Sequence, residues 1–226
     1  GAVTLMGGHA QGGNGGAVAV ASGYSASSSS GTLSLSSSDA GQSGDSGFAK
    51  LITGTSTHGN TGSISIATGE ALDGLTGGIR MAVANGHSGA GGSVRVLAGS
   101  TDDSGSTGGN VLVQAGAHLS QDVSPGSSGG DVTLRGGSAT SGNGGRTQIH
   151  GGVSVSGEGG DVVVLSGSSA GSTSGDMHVS TAAGGSDGQS GDATFSSGVA
   201  PKRSGYLDLR TGSSTSGTAG FVKIVG

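Results

Sequence analysis

Cysteine is absent from this 226-residue chain, so neither a disulfide framework nor a thiolate metal site is possible. Tryptophan is also absent, and aromatic residues make up only 2%, which removes the large side chains that fill a thick globular core. Charge is scarce as well. The nine Lys and Arg are scattered, with Lys202 and Arg203 the one adjacent pair, in a chain of net charge −5, which excludes the basic stripe a nucleic acid requires. No apolar run approaches the roughly 18–20 residues of a membrane-spanning helix. There are only two prolines, so the chain must be punctuated by something else.

That punctuation is glycine, which occurs 54 times and is accompanied by abundant serine. Without a period, such a composition reads as linker or disorder. A period is present. Glycines opening an apolar alternation fall at Gly1, Gly16, Gly31, Gly47, Gly62, Gly77, Gly92, Gly109, Gly130, Gly145, Gly160, Gly175, Gly191, Gly205 and Gly220. Most steps are 15 residues, and the largest departure is the step from Gly109 to Gly130.

Each repeat reads G-x-Φ-x-Φ-x-small-G-x-small-x-x-G-x-x, where Φ is apolar. The third position holds residues such as Val18, Ile64, Val132 and Val162, and the fifth holds Leu35, Ile66, Leu134 and Val164. The fifth position is apolar in every repeat, from Leu5 to Ile224. Alternation with period two places both side chains on one side of an extended segment. Glycine at the eighth position (Gly54, Gly99, Gly137, Gly167) suits a sharp bend at positive φ, and another near the thirteenth turns the chain back. Ala or Ser at the tenth position forms a thinner second wall.

The expected fold is therefore all-β: a single β-solenoid domain over 1–226, built from 15-residue coils around a narrow two-walled core, without helices. Stacking at about 4.8 Å per coil would make a rod of roughly 70 Å. Neither end of the sequence departs from the repeat, so either caps lie outside it or open ends meet head to tail. In the second case the joint would use Ala2, Val3, Leu5 and Ala17 at one end and Tyr206, Phe221, Val222 and Ile224 at the other. Small second-position residues would there face bulky ones.

Two departures from the repeat offer binding elements. The loop 118–127 contains His118, Gln121, Asp122 and Pro125, and a turn gathers Pro201, Lys202 and Arg203. Asp161, Asp176 and Asp192 follow the opening glycines of three successive repeats and are the candidate metal ligands, although bonding to turn backbone is the simpler role. No cofactor is expected. Gly-x-Ser-x-Gly occurs at 126–130, 167–171 and 184–188, as chance requires at this composition, and none passes from a strand into a helix. The six histidines occupy differing repeat positions, and no catalytic carboxylate pair stands out, so the chain reads as a non-enzyme.

Three functions follow as expectations. The first is a structural subunit of an extracellular or cell-surface fibre, its partner being itself. The second is an adhesin or glycan-binding rod that uses the loops. The third is ice binding through outward Thr55 and Thr57, an array that stops after one rung. With "GDVTLRGGSATSGNGG" and "GDVVVLSGSSAGSTSG" in view, the chain resembles Gly/Ser-rich β-solenoid repeat proteins, of the adhesin-passenger type or of algal and microbial extracellular fibres. The resemblance implies a structural, surface-exposed role and transfers no site residue.

Overall fold

The computed structural model describes residues 1–119 and 127–226. Its contacts fall into two parts, Gly1–Val111 and Leu112–Gly226. Among the described residues the repeat period governs the backbone of both. Extended segments alternate with bends, which recur at 11–13, 26–28, 42–44, 57–59, 72–74 and 87–89 in the first part and at 140–142, 155–157, 170–172 and 215–217 in the second.

The β-solenoid is not what these repeats form. Among the described residues there is no β-strand and no helix, and no side chain is buried. The chain exposes 22517 Å². A globular monomer of this length would expose about 9,000 Å² and a fully unfolded chain about 30,000 Å². The expected two-walled core is thus absent, together with the ladder that would have stacked one coil on the next.

The hydrogen bonds explain the difference. Backbone pairing spans the return half of one repeat, from its eighth residue to the glycine opening the next, rather than joining neighbours 15 residues apart. Gly16 donates its N–H to the Gly8 carbonyl at 2.8 Å, Gly31 to Gly23 at 2.9 Å, Gly145 to Gly137 at 2.8 Å and Gly160 to Gly152 at 2.9 Å. The same bond joins Gly109 to Gly99, Gly130 to Gly116 and Gly175 to Gly167. Each links the first residue of one repeat to the eighth of the repeat before it. The intervening residues form a loop with a closed neck. A nearby partner costs less loop entropy than a distant one, and glycine pays the largest backbone entropy if fixed in a ladder. Two apolar positions per repeat do not offset that cost.

At the tightest closed necks, glycine at the first position has a steric reason. A Cβ on Gly16 would stand 2.7 Å from the Gly8 nitrogen, and one on Gly160 would stand 2.9 Å from the Gly152 nitrogen. At the eighth position the expectation of positive φ fails. Gly54, Gly99, Gly137 and Gly167 all lie outside that region, and a Cβ on any of them meets nothing within 4 Å.

Two forms of loop tip recur, and they differ at the tenth residue. In four repeats where it is Ala or Gly, the thirteenth is a glycine with positive φ: Gly13 after Ala10 (90°), Gly74 after Ala71 (149°), Gly89 after Gly86 (79°) and Gly142 after Ala139 (97°). In four repeats where it is Ser, the hydroxyl accepts the N–H three residues on. Ser25 caps Ser28 at 3.0 Å, Ser154 caps Gly157 at 2.8 Å, Ser169 caps Ser172 at 2.9 Å and Ser214 caps Gly217 at 2.9 Å. None of these four capped residues has positive φ. A side-chain oxygen here replaces the left-handed glycine.

This distinction makes Ser169→Ala more disruptive than Ser154→Ala. Each loses a bond worth about 1 kcal/mol. Gly157 can then adopt the left-handed tip, whereas Ser172 has a Cβ that opposes it by roughly 1–2 kcal/mol. Amide exchange at residue 172 should accelerate several-fold more than at residue 157. Equal acceleration at the two tips would contradict this reading of the turns.

Candidate functional site

The most regular chemical feature of the surface is the pair of apolar columns at the third and fifth positions. Two residues of extended backbone separate them, which puts their side chains about 7 Å apart on the same side of the segment. The first column is half covered: Val18 is 50% exposed and Val132 52%, whereas Val3, with no repeat before it in this sequence, is 99% exposed. Part of the covering therefore comes from the preceding repeat. The fifth column is more open, with Leu134 72% exposed. Side chains off the columns, such as Leu75, Val153 and Val199, are fully exposed.

The joint residues expected from the sequence are all exposed. Ala2, Val3, Leu5 and Ala17 belong to the first part, and Tyr206, Phe221, Val222 and Ile224 to the second. Tyr206 and Phe221 present their rings to solvent, as do Tyr24 and Phe48 elsewhere in the same repeat pattern. At the terminal columns Val3 and Ile224 are more exposed than Val132 and Leu134 of the middle repeats.

Of the loop candidates, His118 is exposed, whereas Gln121, Asp122 and Pro125 lie outside the described residues. Pro201 and Lys202 form a bend and Arg203 follows it, all three exposed. Asp161, Asp176 and Asp192 are exposed one repeat apart, and among the described residues no three His, Asp or Glu side chains gather as a cation site. Thr57 shares a hydrogen bond with His58 Nδ1 at 3.2 Å, so the hydroxyl of the ice-binding candidate engages its own neighbour. Asp208 and Arg210 form an exposed ion pair, of a kind worth little in water. Among the described residues no pocket is present, and no helix is long and apolar enough to cross a membrane.

The seventh position has more structural consequence than its place in the sequence pattern implied. Its residues lie against the opening glycine of the next repeat, and Gly7, Ala115, Gly136 and Gly151 are among the few half-buried residues of the chain. The signal was available in the sequence, because this column never holds anything larger than valine. Smallness alone did not say what it packed against. No family model, curated protein or solved structure matches the chain.

Proposed function

We propose that this protein is a structural subunit that assembles with copies of itself into a fibre outside the cell or at its surface, using the apolar columns as its contact face. The observation that carries the reading is the exposure of Val, Leu and Ile at the third and fifth positions in repeat after repeat. Soluble monomers rarely leave contiguous apolar patches beyond a few hundred Å² uncovered, and larger ones mark sites of association. A second copy is the partner that fits, because it brings the same columns at the same 15-residue interval. The closed necks satisfy local backbone groups and leave the columns free for contact. Neither a pocket nor a gathered set of ionisable groups competes with this use of the surface among the described residues.

Negative-stain microscopy at rising protein concentration tests the proposal. Filaments should appear and lengthen with concentration. Dispersed single chains at every concentration would refute it, and binding to a glycan array by such chains would favour the adhesin reading instead.

A further inference from the structure

We infer that the neck of each repeat is a two-state closure set by the seventh residue and by the parity of the return path. Among the described residues, seven necks are closed by a hydrogen bond from the opening glycine to the eighth residue of the preceding repeat. In all seven the seventh residue is Gly, Ala or Ser, as in Gly7, Ser22, Ala98 and Ser166. In all seven, donor and acceptor are separated by an even number of residues. The separation is eight for Gly8 and Gly16, ten for Gly99 and Gly109, and fourteen for Gly116 and Gly130.

Among the described residues seven other necks lack the bond, and the same two conditions account for each. Four have an even return and a β-branched seventh residue: Thr53, Thr68, Val83 and Thr211. Their methyl groups occupy the place that neck backbone takes elsewhere. Val83 Cγ1 lies 2.8 Å from where a Cβ on Gly92 would stand, and Thr53 Cγ2 lies 3.6 Å from the corresponding point at Gly62. In closed necks that point is approached by the eighth residue's nitrogen, 3.0 Å away at Gly145 and 3.3 Å at Gly31. The methyl and the backbone exclude one another.

The remaining three necks have odd returns. Nine residues separate Ser38 from Gly47 and Ala182 from Gly191, and seven separate Gly198 from Gly205. Direction alternates along an extended chain, so an odd step turns the donor away from the acceptor. The repeats opening at Gly92 and Gly109 are longer than 15 residues by two and by six, both even, and both close. Closed and open necks are also grouped along the chain. The repeats opening at Gly1 and Gly16 close, those from Gly31 to Gly77 are open, those from Gly92 to Gly160 close, and those from Gly175 onward are open again. Stretches with fixed loops thus alternate with stretches whose loops can part. The device works within one chain and does not depend on assembly.

Hydrogen exchange on the full-length chain, measured by NMR at a concentration where it is monomeric, tests this. Corrected for intrinsic rates, the Gly109 and Gly175 amides should exchange about two- to ten-fold more slowly than those of Gly62 and Gly77. Ala98→Thr should abolish protection at Gly109, and Ala98→Ser should retain it. Thr68→Ala should create protection at Gly77. One residue inserted between Gly137 and Gly145 should remove the protection of Gly145, and two should restore it. Unchanged exchange at Gly109 in Ala98→Thr, at Gly77 in Thr68→Ala, or at Gly145 after a single insertion would overturn the inference.

Discussion

Gly16→Ala is expected to open the first neck, although it adds only one methyl group. The new Cβ would stand 2.7 Å from the Gly8 nitrogen and 3.3 Å from its Cα, and neither is the end of a flexible side chain that can swing away. The backbone must separate, and the 2.8 Å bond from residue 16 to the Gly8 carbonyl goes with it. The loss combines about 1 kcal/mol for the bond with roughly 1–3 kcal/mol for relieving the overlap. The neighbouring change, Gly8→Ala, should do almost nothing, because its Cβ meets no atom within 4 Å and its φ is not positive. Substitutions at other opening glycines should be graded by clearance. Gly145→Ala and Gly160→Ala, at 3.0 and 2.9 Å, should disturb their necks more than Gly175→Ala at 3.6 Å. Amide exchange at the substituted residue checks this, and full protection retained in Gly16→Ala would contradict it.

The sequence disclosed the period and the roles of several columns, but not the partner of each backbone group. Among the described residues bends do recur at the repeat interval, and glycine near the thirteenth position does turn the chain through a left-handed conformation at Gly74, Gly89 and Gly142. Those positions were legible because turn chemistry is local. The β-solenoid was not, because the same Gly-x-Val-x-Val alternation is compatible with pairing to the next coil or to the return of its own. Periodicity reports which side a residue faces and leaves the pairing partner open. The competition is settled by the seventh and first positions, where a small residue and a glycine let the backbone close on itself eight residues on. Gly137 illustrates the limit. Its recurrence suggested a bend at positive φ, yet it accepts the Gly145 bond with a conformation available to any residue and with open space around its α-carbon. The candidate site was legible as columns, since Val132 and Leu134 alternate with polar neighbours. Their exposure was not, because alternation cannot say whether a face is covered.

Replacing four consecutive fifth-position residues, Val113, Leu134, Ile149 and Val164, with serine is expected to abolish self-association. These side chains are exposed in the single chain, so the change costs its local structure little. On assembly, each would contribute roughly 1.5–3 kcal/mol by leaving water. Four together amount to about 6–12 kcal/mol, and at about 1.4 kcal/mol per decade the association constant should fall by at least about three decades after ordering costs. Four serines placed instead at Thr4, Thr32, Asn110 and Gln148, all exposed and off the columns, should leave association nearly unchanged. Neck protection at Gly145 and Gly160 should survive in both variants, because those bonds join backbone to backbone.

Sedimentation equilibrium over a wide concentration range, on the unmodified chain and the four-serine column variant side by side, tests the central claim most directly. The unmodified chain should pass from its 20.8 kDa monomer to masses that keep growing with concentration, while the column variant should stay at the monomer mass throughout. A monomer at every concentration, or growth identical in the two proteins, would contradict the assignment of the apolar columns as the assembly surface.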